Sequence, residues 1–235
     1  MKSSLTQILH EEIDTPPKVR RRLLREQVTD LLRDYIVTGR IPPGTQLVER
    51  ELVDLLGISR VPIREALLEL QKEGLIVDRA HRRYVVYLTE RDVRELSQVR
   101  LALEKEAVAL AAEHTSPENK VALLENLRQM EAALEQRDKY AFHKLDMEAH
   151  MLIWKQADNR HLLATLRTIV GPIFVLMFQN LENYDWHTTL ELHRELVACI
   201  NNGDREEAVH SIERHLAEAL RRAILWAAQN NHPEN

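Results

Sequence analysis

The stretch "GISRVPIREALLELQKEGLI", Gly57–Ile76, decides how the first third of this chain is read. Gly57 is suited to close a helix in the left-handed conformation, and Ser59 is suited to open the next by accepting backbone N–H bonds. Pro62 then falls in a first turn, where a missing N–H is tolerated. Apolar Ile63, Ala66, Leu67 and Leu70 recur at helical spacing up to Gly74. Arg60 and Arg64, four apart, share the opposite face.

Working outward, "LLREQVTDLLRDYIVTG" places Leu24, Val28, Leu31, Leu32 and Ile36 on one face of a helix stopped at Gly39, entered through Pro16 and Pro17. "RIPPGTQL" reads as a turn, and "ERELVDLLG" as a short helix burying Leu52, Leu55 and Leu56. Downstream, "LIVDRA" and "YVVYLT" flank "HRR" as the strands of a hairpin. Helix, helix, tight turn, helix, hairpin is a winged helix-turn-helix, expected over residues 16–89 after a loose arm at 1–15.

From Thr89 the patterning is helical throughout, with about six helices over residues 90–235, the content of an antiparallel bundle. The expected fold class is therefore mainly α. Composition agrees: 6 glycines and 5% aromatics leave little room for a large sheet, and 44% hydrophobic residues supply ordinary cores. Cys199 is the single cysteine, which excludes an internal disulfide framework. The N-terminus has no signal-peptide pattern, and no apolar run reaches membrane-spanning length, so a cytoplasmic, nucleoid-associated protein without a membrane partner is expected.

Net charge is −5, yet it is unevenly spread: residues 16–90 hold 14 Lys+Arg against 11 Asp+Glu, and residues 91–235 hold 17 against 23. The basic excess lies in the winged segment, where a DNA partner requires it. The N-terminal end of the second motif helix reaches base edges in the major groove, and the planar fork of arginine suits guanine O6 and N7 there. Arg60 and Arg64 are the candidate base readers and Ser59 a phosphate holder. Arg50 opens the preceding helix, and His81, Arg82 and Arg83 tip the wing. The plainer alternative for Arg64 is a local pair with Glu65 or Glu69. Lys18, Arg20, Arg21, Arg22 and Arg25 form a basic helix start, able to meet phosphates or simply solvated.

Eleven histidines are many for 235 residues. Asp146 and His150 stand four apart on one helix, and His193 and His215 follow on two later helices. A carboxylate and imidazoles converging from several helices build a metal site in a bundle core. Taken singly, a histidine is more often a surface or hydrogen-bonded core residue than a ligand.

"GRIPPGTQLVERELVDLLGISRVPIREALLELQKEGLI" resembles the signature of the GntR family, and "RLALE" (Arg100–Glu104) with the helical second half resembles the FCD ligand-sensing domain of its FadR-type branch. The resemblance spans almost the whole chain. It implies that Arg50, Ser59, Arg60 and Arg64 contact operator DNA; the family wing usually has glycine where Arg83 stands. Metal-binding FCD domains resemble this chain at Asp146, His150, Asn159, His193, Ile200, Gly203, Asp204, Ala208 and His215. Departures are Cys199 for an alanine, read as a small buried residue and not a ligand, and Asp158 for a glycine. The implied ligands are Asp146, His150, His193 and His215; the implied effector contacts are Arg100 and Asn159. Arg100 has an intrahelical pair with Glu104 as its alternative. His143, His161, His187 and His210 have no matching role. Three imidazoles and one carboxylate suit Zn²⁺, Ni²⁺, Mn²⁺ or Fe²⁺.

The expected function is a ligand-responsive transcriptional regulator, a repressor rather than an enzyme. It would act as a homodimer on palindromic double-stranded operator DNA and sense a small carboxylate at the metal. The alternatives are a metal-dependent enzyme using the Asp/His₃ set, and a regulator whose metal only staples helices.

Overall fold

The computed structural model describes residues 24–179 and 185–229. The expected arm and the basic residues Lys18, Arg20, Arg21 and Arg22 lie outside them. The described residues divide into two compact units, one comprising residues 24–87 and 171–179, the other residues 88–170 and 185–229.

The first unit contains α1 (Leu24–Val37), α2 (Glu49–Leu56), α3 (Arg60–Lys72), β1 (Ile76–Arg79) and β2 (Arg82–Val85). α3 buries Ile63, Ala66, Leu67 and Leu70 and packs on α1, whose Val28, Leu32 and Ile36 are buried in turn. Leu24 of α1, expected on this face, is exposed. Burying one such aliphatic side chain contributes about 1.5–3 kcal/mol. Gly57 ends α2 at φ 65°, and its N–H bonds to the Val53 carbonyl. Ser59 has the extended backbone of a helix cap, but its side chain makes no capping bond. Pro62 occupies the third helical position and has no N–H, which removes one of the two donors a cap can accept from. The sequence-based capping role of Ser59 is therefore corrected.

β1 and β2 pair antiparallel, with Ile76 opposite Val85 and Asp78 opposite Arg83. Their two-residue turn, Ala80 and His81, has φ 51° and 61°. That is the mirror-image turn that matches strand twist, here built without glycine. The preceding loop adds a partial third strand: Leu47 N–H donates to Arg83 O at 2.8 Å and Val85 N–H to Thr45 O at 2.9 Å.

The second unit is built from α4 (Glu90–Glu113), α5 (Pro117–Glu135), α6 (Lys139–Gln156), the first part of α7 (Arg160–Gln179), α8 (Trp186–Asn202) and α9 (Arg205–Gln229). Thr89 opens α4 in a reciprocal capping box with Asp92. Ser116, Asp138 and Asp185 cap α5, α6 and α8, each accepting from the third helical N–H. α4 packs along α9 and against α6 and α8, while α5 packs on α6 and α8. α4, α5, α6, α8 and α9 are thereby turned on a shared core.

α7 is long and apolar enough by composition to cross a bilayer over residues 160–178, although half of that window is buried inside the fold. Its hydrophobicity is that of a core helix: Leu162, Leu166, Val170, Ile173 and Phe174 are all buried.

Candidate functional site

The exposed basic surface of the first unit follows from the two-faced character of α3. With Ile63 and Leu67 inward, Ser59, Arg60 and Arg64 are exposed, and so are Arg50 on α2 and His81 and Arg82 at the wing. Arg50 faces Asp54 at 3.8 Å, one turn along a wholly exposed helix face. Arg64 pairs with neither Glu65 nor Glu69; its Nε lies 3.5 Å from Glu49 Oε1, a residue from the start of α2. Arg83 is different from its wing neighbours. Its side chain is only 20% exposed, and Nη1 donates to the same Glu49 oxygen at 2.7 Å.

The second unit brings together the four residues singled out as ligands. Asp146 and His150 stack one turn apart on the inner face of α6, His193 comes from α8 and His215 from α9, and all four are buried. One donor atom from each lies within 4.8 Å of all the others. His193 Nε2 is 3.0 Å from Asp146 Oδ1, and His150 Nε2 is 3.8 Å from the same oxygen. The Nε2 atoms of His150 and His215 are 3.2 Å apart.

Outer partners decide which ring nitrogens face inward. His150 Nδ1 is 2.9 Å from Glu104 Oε2, so Nδ1–H donates to that carboxylate and Nε2 turns a lone pair to the cluster. His193 Nδ1 is 2.9 Å from the Thr189 carbonyl, with the same consequence. Asp146 Oδ1 and His193 Nε2 are close but not aligned as donor and acceptor, so both remain buried polar atoms without a hydrogen bond, as does His215 Nδ1. Acceptors held against one another inside a protein are costly unless a cation lies between them. The donor set and its orphaned atoms therefore fit a divalent transition metal.

Titration preferences agree with that geometry. Burial opposes ionisation of Asp146, but His193, His150 and His215 outweigh it and hold the carboxyl well below its usual range. Burial likewise opposes ionisation of Glu104, overcome by His150 and Arg100. Burial lowers His193, yet Asp146 and the Thr189 carbonyl carry it above its ordinary value. His215 is pushed well below, first by burial and then by the neighbouring His193 and His150. Where no cation is bound, the raised value of His193 favours a proton on that ring.

Arg100 is buried beside the cluster, its Nε donating to Glu104 Oε1 at 2.6 Å while Nη2 lies 3.4 Å from His150 Nε2. The intrahelical pair and the place at the site are thus both real. Asn159 is exposed, and its Oδ1 accepts from the backbone N–H groups of His161 and Leu162, capping α7. Cys199 is half-buried rather than buried, and it is not one of the clustered donors. Sequence names Glu104 only as a partner for Arg100, and it does not single out Trp154, whose Nε1 donates to Glu104 at 3.2 Å. The available signal was their spacing: Glu104 one turn after Arg100, Trp154 one turn after His150.

Residues 24–86 match the family model for bacterial regulatory proteins of the gntR family, and residues 95–218 match the FCD domain. The chain belongs to the GntR family. This GntR-family regulator is 30% identical over 207 residues to a probable D-xylose utilization operon transcriptional repressor of Paenarthrobacter nicotinovorans, covering 85% of this chain and 90% of the relative. It is 27% identical over 197 residues to the HTH-type transcriptional repressor RspR of Escherichia coli, covering 83% and 86%. The solved structure of E. coli McbR/YncC superposes with a TM-score of 0.75 at 25% identity, covering 89% of this chain and 100% of that one. Family membership makes the chain a DNA-binding transcriptional regulator and not an enzyme, and its FCD domain carries a buried Asp/His cluster that could hold a metal ion.

Proposed function

We propose that this GntR-family chain is a repressor that binds palindromic operator DNA as a homodimer and senses a small carboxylate at a metal held by Asp146, His150, His193 and His215. Arg60 and Arg64 read base edges. Arg50, Ser59, His81 and Arg82 hold phosphates or groove walls, and all six side chains stand exposed on the first unit. Operator binding places the protein with the chromosome in the cytoplasm.

The observation that carries the sensing role is the charge balance of the buried cluster. Asp146 and Glu104 ionise and Arg100 is cationic, so a divalent ion leaves one positive charge uncompensated in a buried site. A monoanionic carboxylate neutralises it, with Arg100 beside the metal as a second anchor. Zn²⁺, Ni²⁺, Mn²⁺ and Fe²⁺ all accept this donor set. Bound ligand shifts the populations of arrangements that differ in operator affinity.

The test has two parts. Gel shifts against DNA upstream of the protein's own and neighbouring genes should show salt-sensitive, sequence-specific binding; its absence sinks the regulatory reading. Thermal melting with and without chelator, followed by a panel of small carboxylates on the metal-loaded protein, examines the sensor. A metal effect with no carboxylate effect makes the metal a staple for α4, α6, α8 and α9.

A further inference from the structure

Glu49 is a carboxylate on the surface through which the first unit is proposed to meet DNA. A negative charge there opposes the approach of phosphates, so its presence calls for a reason. It sits at the first position of α2 and is only 26% exposed. One of its oxygens serves two arginines from different elements: Arg83 of β2 at 2.7 Å and Arg64 of α3 at 3.5 Å. Arg83 is itself fixed at both ends, its carbonyl accepting from Leu47 N–H at 2.8 Å, two residues before Glu49. Wing strand, start of α2 and recognition helix are thus joined through one carboxylate oxygen.

We infer that Glu49, held by Arg83, is the positioning residue that aims Arg64 at a base edge. This inference rests on base reading by Arg64. The contact engages the Nε edge of the Arg64 guanidinium, leaving the two terminal nitrogens as the fork that meets guanine O6 and N7. A long side chain that is 61% exposed otherwise samples many rotamers, and ordering it at the moment of binding costs affinity for the correct base. Arg83 in this arrangement acts through Glu49 rather than on DNA. The arginine at a position where the family usually has glycine thereby acquires a function. The three charges sum to one positive charge, so the assembly still attracts the phosphate backbone.

The experiment is selection of bound duplexes from a random-sequence DNA library by the full-length protein and by Arg64→Ala, Glu49→Gln, Arg83→Met and Arg83→Lys. Circular dichroism monitors folding in parallel. Arg64→Ala defines the base pair that Arg64 reads. Glu49→Gln and Arg83→Met are expected to relax the preference at that same pair roughly tenfold. Arg83→Lys should retain most of it, and affinity for bulk random duplex should hold or rise in Glu49→Gln as a negative charge is lost. Unchanged preference in folded Glu49→Gln and Arg83→Met overturns the positioning role, as does relaxation spread over pairs that Arg64→Ala leaves intact. If Arg64→Ala alters no base preference, base reading by Arg64 fails, an outcome recognisable without the other variants.

Discussion

Glu104 Oε2 accepts the Nδ1–H of His150 at 2.9 Å while Glu104 Oε1 holds Arg100 at 2.6 Å. One buried carboxylate on α4 therefore fixes the tautomer of His150, the proposed metal ligand on α6, and the orientation of the arginine beside it. Groups of this kind, one bond removed from the metal, keep a ligand's lone pair aimed at the ion. Glu104→Gln should weaken metal binding by about 10- to 100-fold, read by competition with a chromophoric chelator, with the fold retained. Affinity equal to that of the unaltered protein would show that His150 needs no such support.

Metal binding should tighten with rising pH. In the metal-free protein His193 holds a proton at a pKa above its ordinary 6.5, stabilised by Asp146. The stability due to that proton is fully present below 6.5 and is lost as pH climbs through the raised value, where the metal must take over. The gain in melting temperature on adding Zn²⁺ should therefore widen toward alkaline pH. Calorimetry in buffers of different ionisation enthalpy should register proton release on binding. A pH-independent gain, or no proton release, would contradict the protonated state assigned to His193.

Ser59 and Ser116 occupy equivalent helix starts with different roles. Ser116 accepts from Asn119 N–H at 3.2 Å, and Ser116→Ala should cost about 1 kcal/mol in denaturant unfolding. Ser59→Ala should leave stability nearly unchanged, because its hydroxyl makes no capping bond. It should nevertheless weaken DNA binding. Equal destabilisation by the two substitutions would restore a capping role to Ser59.

The wing turn carries an avoidable cost. Ala80 at φ 51° sits in a region that L-residues enter at roughly 1–2 kcal/mol, whereas glycine enters freely at an entropic cost of about 0.5–1 kcal/mol. Ala80→Gly should stabilise the first unit by about 0.5–1 kcal/mol, seen as a raised denaturation midpoint. A lowered midpoint would mean that the methyl group contributes packing that outweighs the strain.

The winged helix-turn-helix and the metal cluster were both legible in the sequence because each is written in short-range spacing. Ile63, Ala66, Leu67 and Leu70 define the buried face of α3, and Asp146 with His150 define a ligating face of α6. What escaped was set by tertiary packing or by a missing donor. Nothing local to Arg64 announces Glu49, which lies on another helix, and the acids near it in sequence turned out not to be its partners. The second oxygen of Glu104 reaches a residue 46 positions away. Ser59 has the residue type and backbone of a cap, yet its side chain makes no capping bond, and the proline three positions on removes one of its two possible donors. Asn159 matched a family spacing, yet its side chain is engaged in starting α7.

The assignment of residues 171–179 to the first unit has a practical consequence for anyone recombining such proteins. Gly171 runs so close to Glu73 and Leu75 that a Cβ there would sit 2.9 Å from the Glu73 carbonyl, and Phe178 lies against Gly39 in the same way. The DNA-reading head is thus a discontinuous module, closed by a piece of chain encoded some 80 codons after its wing. A graft that exchanges only residues 24–87 between relatives will pair a foreign surface with the native 171–179 segment. A transplant that preserves the head's own packing must carry both pieces together.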